Sequence, residues 1–287
     1  MYKRQILDPL TQPLPFTPFK DFTGRSINEI NLYSTEMSSA LCSIDRVSAS
    51  ANMNNRLSEA IVEAYKSTNG SPISFELMLK CYQSRMKDAN NDDSISSVLK
   101  QLVNAHIFES EDKVSLIDDS YIIKMDGYPK DGPIAKAIVY FLMSKLNNIY
   151  ELLDKQAVND EVVQIRHFSI IDEAHYMLDF DNRPLRNLIA VGRNKGLSII
   201  LATQNMSSFK SKGFDFYANA QYPLIMKQQT IDDKVIKDLF GVSGQELQEI
   251  RTAIAGLQKG ELIIKDQMAF ALGMGNKYKK INVTHLI

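Results

Sequence analysis

The sequence is poor in the features that mark specialised classes of protein. It holds only two cysteines, Cys42 and Cys81, and neither has the spacing of a metal ligand. Two isolated cysteines favour reduced, buried thiols in a cytosolic protein. The net charge is −1 and the isoelectric point is about 6.4, so no broad basic surface is indicated. Binding to nucleic acid would therefore depend on local basic patches.

Long apolar segments are also missing. The stretch "MYKRQILDPLTQPLPFTPF" has no apolar core like that of a signal peptide. The strongest apolar stretch, "PIAKAIVYFLMSKL", is interrupted by Lys136 and Lys145, which leaves it too short and too charged to span a bilayer. We therefore expect a soluble, cytoplasmic chain without a membrane partner. Its 287 residues, 44% hydrophobic and 23% charged, suffice for one large domain or two modest ones.

A phosphate-binding loop is the third absence. None of the 13 glycines lies in a G-x-x-x-x-G-K-[ST] pattern. The absence matters because "SIIDEAH", residues 169–175, is a short apolar run that ends on Asp172 and Glu173. Many nucleotide-hydrolysing enzymes hold magnesium and a catalytic water with such an acidic strand end, and it normally works beside a phosphate loop.

The spacing of apolar residues divides the chain into two kinds of segment. From about 24 to 110, apolar residues recur at three-to-four spacing and predict a helical subdomain without a catalytic constellation. A strand at 4–8 precedes it, and from 112 onward short apolar strands alternate with helices. This alternation is typical of an α/β fold around a largely parallel sheet. The later strands are predicted in "KVSLIDDSYIIKMDGYP" (two strands), "RHFSIIDEAH", "LSIILATQ" and "YPLIMKQ", with a closing hairpin in "GELIIKDQMAFALGMG".

Two of the predicted strands end on polar residues that suit a nucleotide. Asp172 and Glu173 end one strand, and Thr203 and Gln204 end the strand "LSIILATQ". Ligands of open α/β sheets bind beyond the carboxyl ends of the strands. If these strands are neighbours, Asp172 would hold Mg²⁺ through water, Glu173 would orient or deprotonate the attacking water, and Gln204 would sense the γ-phosphate or position that water. The alternative is that the acidic pair merely caps the next helix, where the helix dipole favours negative charge.

Basic residues lie between these two strands, in "RPLRNLIAVGRNKG". Most arginines at a protein surface are solvated, and we expect at least two of the basic residues Arg183, Arg186, Arg193 and Lys195 to be so. Arg193 differs because it ends a helix that starts near the acidic strand. From that position it could reach the γ-phosphate of a nucleotide in a neighbouring subunit and stabilise transition-state charge.

The segment "IIDEAHYMLDFDNRPLRNLIAVGRNKGLSIILATQNMSSF" resembles the HerA/FtsK superfamily of ring-forming P-loop ATPases. Those proteins show an apolar strand ending D-E, a helix closing on G-R-x-x-G, and a strand ending A-T-Q, in the order found here. "ILDPLTQ" is similar to their strand after the phosphate-loop helix, and "LQKGELIIKD" to a late L-x-x-G-E element. The resemblance covers most of the chain and is most specific at 165–210.

The resemblance implies an architecture and a kind of work. A RecA-like core would comprise 1–23 and 112–287, and 24–111 would form the helical insertion subdomain usual in the middle of such proteins. The superfamily includes DNA translocases and conjugation ATPases, so a ring that acts on DNA, expected to be a hexamer, is implied. A narrower likeness to the ATPase of phosphorothioation-dependent restriction would add an antiphage role, with a nuclease or other restriction subunits as partners.

The match also implies roles for individual residues. Asp172 would be the Walker B aspartate that holds Mg²⁺ through water, and Glu173 would be the catalytic glutamate. Gln204 would be the sensor glutamine and Thr203 would contact the bound nucleotide. Arg193 would be an arginine finger that acts in trans. ATP and Mg²⁺ are the implied cofactors.

DNA contacts are predicted in "NMSSFKSKGFDF", residues 205–216, which reads as a loop. Lys210 and Lys212, which lie among three phenylalanines, could contact phosphates in a ring pore. The alternative is an ordinary solvated loop.

The missing phosphate loop leaves several hypotheses open. The family places this loop before the "ILDP" strand, so we expect the chain to be the C-terminal portion of a longer protein and to bind ATP poorly by itself. One alternative is a degenerate ATPase fold kept as a scaffold. Another is a DEAH-box helicase, although the motif Q-x-x-G-R-x-G-R is missing. A metal site is less favoured, because His167 and His175 flank one strand too far apart to share an ion easily. For His175 we expect packing or a supporting hydrogen bond.

Overall fold

Two compact units make up the computed structural model. The first comprises Met1–Ile170 and Asp179–Ile200, and the second comprises Ile171–Leu178 and Leu201–Ile287. The structure describes residues 5–44, 49–88, 91–159, 162–178, 180–211, 214–220, 222–272 and 277–283.

The first unit begins with a strand and a run of helices. The starts of α2, α3 and α4 follow from caps: the side chains of Ser50, Ser74 and Asp93 accept hydrogen bonds from backbone amides in the first turns. Asp93 also forms a capping box with Ser96. These helices confirm the helical segment predicted from apolar spacing. The elements are β1 (Gln5–Leu7), α1 (Ile27–Ile44), α2 (Ala51–Ser67), α3 (Phe75–Gln83) and α4 (Ser94–Ala105).

Aromatic rings form the centre of the first unit. The long helix α5 (Pro133–Leu152) begins with the proline predicted for its first turn. Its Phe141 lies edge-on to Phe19, Phe75 and Phe108, with ring centroids 5.6, 5.2 and 5.8 Å away. Burial of each such ring stabilises the fold by about 1.5–3 kcal/mol. The rings come from different segments, so they fasten α3 and the loops around it to α5.

Strand β2 (Tyr121–Ile123) pairs in parallel with β1. The sequence predicted another strand just before β2, around 113–117, and that prediction is wrong. The Ser115 hydroxyl donates to the Asp118 carboxylate at 2.5 Å, and Leu116 between them is buried, so the segment is a turn. A local hydroxyl–carboxylate bond of this kind competes with strand pairing.

The remaining elements of the first unit confirm the predicted strand, helix and strand that frame the candidate site. The backbone N–H of His167 donates to Gly196 O at 3.2 Å, and that of Ala202 donates to Ile171 O at 2.9 Å. Strands β5 and β6 are therefore neighbours that run in the same direction. The last residue of each belongs to the second unit. The elements are β3 (Val158–Asn159), β4 (Val162–Val163), β5 (His167–Ile171), α6 (Arg183–Val191) and β6 (Leu197–Leu201).

The second unit contains an antiparallel sheet packed on helices. Its strands lie in the order β11-β10-β9, and the central strand buries Ile263 against Phe240 and Ile254 of the neighbouring helices. The break predicted near 242–244 separates α8 from α9. The elements are β7 (Lys210–Ser211), β8 (Phe214–Asp215), α7 (Phe216–Asn219), β9 (Leu224–Met226), α8 (Asp233–Phe240), α9 (Gly244–Ala255), β10 (Glu261–Lys265), α10 (Gln267–Leu272) and β11 (Tyr278–Asn282).

The closing hairpin has a different second strand from the one predicted. Residues 267–272 form helix α10, because the Asp266 carboxylate accepts the Met268 backbone N–H at 3.1 Å and starts a helical turn. The strand that pairs with β10 is β11, which contains the basic "YKK". Its lysines are neutralised by acidic partners, since Lys279 pairs with Asp266 and Lys280 with Glu261 at 2.8 and 2.7 Å.

These elements confirm the predicted α/β class. The first unit contains helices, two parallel strand pairs and the antiparallel pair of β3 and β4, and the second adds the antiparallel sheet. The division into a core and a 24–111 insertion stays a prediction, and these helices share the first unit with α5. Among the residues described, no helix combines the length and apolarity needed to cross a membrane.

Candidate active site

The candidate site starts at the turn that ends β5. Asp172 Oδ1 accepts the backbone N–H of Glu173 at 2.9 Å, which closes the turn on the strand end. Glu173 has φ 50° and ψ 40°, the left-handed region that most L residues rarely adopt. Holding a glutamate in this region costs about 1–2 kcal/mol. Such strain persists only where surrounding contacts maintain it, and it is concentrated at functional sites.

The end of β6 lies against this turn. The backbone N–H of Ala174 donates to Ala202 O at 2.7 Å, so the residues after β6 run beside the acidic turn. The side-chain amide of Gln204 donates to Glu173 Oε1 at 2.5 Å. Two residues that the sequence placed at the ends of separate strands are therefore in direct contact. Their chemical roles stay predictions.

Thr203 and His175 complete the group of polar side chains. Thr203 Oγ1 lies 3.3 Å from His175 Nδ1, although the two residues are 28 positions apart. The same ring nitrogen lies 3.4 Å from Glu173 Oε2. The sequence predicted a nucleotide contact for Thr203 and packing or a supporting hydrogen bond for His175. It did not predict that these side chains meet each other and the acidic turn, because their contact depends on how β5 and β6 are paired.

Asp172 suits a magnesium ion held partly by substrate. The residue is exposed, and its Oδ2 has no hydrogen-bond partner in the described part of the chain. Within the same residues, no group of three or more His, Cys, Asp or Glu side chains could hold a metal. Mg²⁺ commonly takes one or two carboxylates, several waters and the phosphates of a substrate. One exposed carboxylate fits that arrangement and does not fit a metal held by protein ligands alone.

Arg193 lies in the 3₁₀ turn Gly192–Lys195, between α6 and β6. Gly196, which ends the turn, has φ 82°, and an added Cβ would lie 2.8 Å from Gln164 O. Gly192 is buried, and its Cβ would lie 2.8 Å from the Leu197 side chain. Glycine is therefore required at 196 by its left-handed backbone and by close approach to other backbone atoms, whereas a Cβ at Gly192 would press on the Leu197 side chain. This steric meaning of the pattern was missed at the level of sequence.

Lys195 braces the turn that carries Arg193. Its Nζ donates to the carbonyl oxygens of Tyr150 and Glu151 at 2.5 and 3.0 Å, where positive charge complements the end of α5. The side chain of Arg193 is exposed, and no ion pair or hydrogen bond engages its guanidinium within the described residues. A guanidinium with free donors on a braced turn can bind an anion that is brought to it. Arg193 belongs to the first unit, whereas the acidic turn belongs to the second.

The other two arginines of this segment are already engaged. Arg183 pairs with Glu36 of α1 at 2.8 Å, and Arg186 pairs with Asp181. The backbone N–H of Asp181 also donates to Ser43 Oγ at 3.1 Å. These contacts hold the start of α6 against α1, and each partly exposed pair contributes about 0–1 kcal/mol.

The segment predicted to contact DNA is not an open loop. Lys210 lies in β7, which forms a short hairpin with β8, and Lys212 lies outside the described residues. The ring of Phe216 lies 4.7 Å from that of Phe214 and 6.5 Å from that of Phe209. The phenylalanines of this segment therefore pack on one another. The DNA contacts of Lys210 and Lys212 stay predictions.

The chain has the RecA-like fold of P-loop ATPases, as predicted, because solved structures with this fold match almost its whole length. One similar solved structure is VirB4 of Thermoanaerobacter pseudethanolicus. It has 16% identity and a TM-score of 0.62, and the match covers 98% of this chain and 76% of that one. The plasmid coupling protein TrwB, in complex with the non-hydrolysable ATP analogue ADPNP, has 13% identity and a TM-score of 0.58 over 98% of this chain and 73% of its own.

TrwB in complex with the GTP analogue GDPNP is also similar, with 13% identity and a TM-score of 0.55 over 98% of this chain and 74% of that one. No family model and no curated protein matches the sequence. At these identities the likeness establishes the fold alone.

Proposed function

We propose that this chain is the hydrolytic part of an ATPase motor of the HerA/FtsK type. The contact between Glu173 and Gln204, at the ends of neighbouring parallel strands, is the observation that carries the proposal. The fold supports it, since it is shared with TrwB, which has been solved with a non-hydrolysable ATP analogue. ATP is the proposed substrate and Mg²⁺ the proposed cofactor.

Each side chain of the acidic turn has a separate task in this proposal. Glu173 orients or deprotonates the water that attacks the γ-phosphate, and the amide of Gln204 holds that carboxylate in place. The carbonyl oxygen of Gln204 and its second N–H can meet the water or the γ-phosphate. Asp172 holds Mg²⁺ through water, and Thr203 contacts the nucleotide. When bound, the ion neutralises charge on the phosphate oxygens.

Arg193 is proposed to act on the nucleotide of a neighbouring subunit. Its guanidinium is exposed and unpaired among the described residues, and Lys195 braces the turn that carries it. An arginine supplied in trans stabilises charge in the transition state of phosphoryl transfer. This role requires self-association, and we propose a ring, most simply a hexamer.

A phosphate loop is the part of the proposed machinery that the sequence does not contain. Such a loop supplies backbone N–H groups and a lysine that cradle the phosphates, and the acidic turn cannot replace them. We therefore expect the 287-residue chain to bind ATP weakly and to hydrolyse it only together with a phosphate loop.

The finer parts of the proposal concern the work that hydrolysis drives. We propose action on DNA in the cytoplasm, with Lys210 and Lys212 near the nucleic acid and restriction subunits as partners in antiphage defence. The motif pattern supports the motor type, and a bacterial conjugative coupling protein is among the similar structures.

A scaffold that retains the fold without catalysis is the second candidate. The absence of a phosphate loop favours it, because an ATPase fold without this loop can still pack and assemble. The two candidates differ in a single measurable property, which is turnover of ATP when a phosphate loop is present.

The substitution Glu173→Gln tests the proposed site. In the form of the protein that carries a phosphate loop, it is expected to lower kcat by at least about 100-fold, because an amide cannot take a proton from water. ATP binding should persist, since the amide keeps the size of the carboxylate. Steady-state hydrolysis and equilibrium ATP binding are the measurements.

Glu249→Gln is the matched control, because Glu249 is an exposed glutamate on α9 of the same unit. It should leave turnover unchanged. Normal turnover in Glu173→Gln would reject the site. Micromolar affinity of the 287-residue chain for ATP would contradict the need for a separate phosphate loop. Absence of turnover in the unaltered protein with its loop would favour the scaffold.

A further inference from the structure

The two oxygens of the Glu173 carboxylate are held differently. Oε1 accepts the Gln204 amide at 2.5 Å. Oε2 has less than 1 Å² of accessible surface and no aligned hydrogen-bond donor within the described part of the chain, although the side chain as a whole is 26% exposed. A buried carboxylate oxygen without a donor costs about 1–3 kcal/mol or more. Oε2 therefore needs a hydrogen-bond donor from a nearby group.

The imidazole of His175 stands where such a donor is needed. Its Nδ1 lies 3.4 Å from Glu173 Oε2 and 3.3 Å from Thr203 Oγ1. The distance to Oε2 is within ion-pair range, but the alignment falls short of a hydrogen bond. Tyr176 limits the movement of the ring, because the centroids of the two rings are 4.1 Å apart.

Two proton arrangements are compatible with these distances, and they exclude each other in a neutral ring. In the first, Nδ1 carries the proton and donates to Glu173 Oε2, with the oxygen of Thr203 beside it. In the second, the Thr203 hydroxyl donates to an unprotonated Nδ1, and Oε2 stays without a donor. The first arrangement satisfies a buried anionic oxygen with a charge-assisted bond, so it is favoured.

We propose that His175 is a positioning residue that donates from Nδ1 to Oε2 of Glu173. Gln204 and His175 then hold the carboxylate from its two oxygens, and the plane of the carboxylate is set before any substrate arrives. The benefit for hydrolysis rests on the proposed function, because a general base acts efficiently only within a narrow range of geometry. The contact itself is independent of that function.

The direct test is to determine which ring nitrogen of His175 carries the proton in the 287-residue chain. Long-range ¹H–¹⁵N correlation spectra distinguish the two neutral forms of histidine, and pH 8 keeps an ordinary imidazole neutral. The chain has four histidines, and His175→Asn identifies the signal of His175 by its loss. We expect the proton on Nδ1. A proton on Nε2 would overturn the proposal, since Thr203 would then be the donor.

A matched pair of variants shows which partner sets the proton. Thr203→Val removes the hydroxyl and keeps the shape of the side chain, and it should leave the proton on Nδ1. Glu173→Leu removes the carboxylate, and it should move the proton to Nε2, the form that free histidine favours. A change in Thr203→Val together with none in Glu173→Leu would contradict the assignment.

Hydrolysis by the form that carries a phosphate loop tests the consequence. Asparagine places its amide nitrogen near the position of Nδ1, whereas glutamine places it near that of Nε2. His175→Asn should therefore stay within a few-fold of the unaltered kcat, and His175→Gln should lose about 10- to 100-fold with an unchanged KM for ATP. Equal losses in both variants would indicate a packing role and overturn the proposal. If the unaltered protein does not hydrolyse ATP, the proposed function fails, while the position of the proton still decides the contact.

Discussion

Two turns of this chain carry sequence motifs, and the structure explains them in different ways. The turn 192–196 needs glycine at 196, because a Cβ atom on this left-handed residue would lie 2.8 Å from Gln164 O. The acidic turn 172–175 has no such need, and it holds Glu173 in a left-handed conformation that glycine would adopt with less strain. Steric fit explains the first turn, whereas the second keeps a strained glutamate whose carboxylate contacts Gln204. Backbone strain of this kind is concentrated at functional sites.

Among the substitutions that test this comparison, a change at Gly196 is expected to have the largest effect on stability. Gly196→Ala is expected to destabilise the protein by about 2–4 kcal/mol, because it combines left-handed strain with a contact of 2.8 Å to Gln164 O. Gly24→Ala is the matched control in the same unit, with φ 73° and no atom within 4 Å of the added Cβ. It should cost only about 1 kcal/mol. Midpoints of urea unfolding provide the measurement, and equal losses would refute the steric account of the turn.

The strain at Glu173 can be isolated by comparing two truncations. Glu173→Gly and Glu173→Ala both remove the bond to Gln204, but only alanine keeps a Cβ in the left-handed region. The glycine variant should therefore be more stable than the alanine variant by about 1 kcal/mol, as judged by thermal or urea unfolding. An alanine variant of equal or greater stability would show that the acidic turn is not strained.

The smallest expected effect on stability comes from His167, the first residue of β5, whose backbone N–H donates to Gly196 O. Burial lowers the pKa of His167 below its ordinary value, so the unfolded chain takes up this proton at a higher pH than the folded chain does. The protein should lose stability as the pH falls below about 6.5, the ordinary pKa of histidine, and the loss should end below the folded pKa. His167→Gln should make unfolding less dependent on pH between about 6.5 and 5. An unaltered pH dependence in this variant would contradict a His167 pKa lowered by burial.

Much of the architecture follows from local signals. Helices α2 and α4 could be predicted because their apolar residues recur at helical spacing, and the structure shows that Ser50 and Asp93 cap their starts. Two wrongly predicted strands have local causes of another kind. The Ser115 hydroxyl and the Asp118 carboxylate close a turn where apolar residues suggested a strand, and the Asp266 carboxylate starts α10 where a hairpin strand was expected. The spacing of apolar residues cannot predict such side-chain hydrogen bonds.

The candidate site, too, could be predicted from the sequence only in part. Its residues could be located because Asp172, Glu173 and Gln204 follow apolar strands, and the structure brings Glu173 and Gln204 together. The left-handed backbone of Glu173 and the contact between His175 and Thr203 could not be predicted. Both depend on the register of β5 and β6, which no local pattern of residues specifies.

The sequence by itself determined the α/β class, the capped helices and the residue types at the strand ends, because these depend on interactions between residues close together in the chain. Tertiary structure decided which polar groups meet. It set the glycine packing at 192–196, the bracing of Arg193 by Lys195, and the position of His175 between Glu173 and Thr203. Those contacts join residues from separate elements, and their distances are set by the packing of strands and helices that hold them.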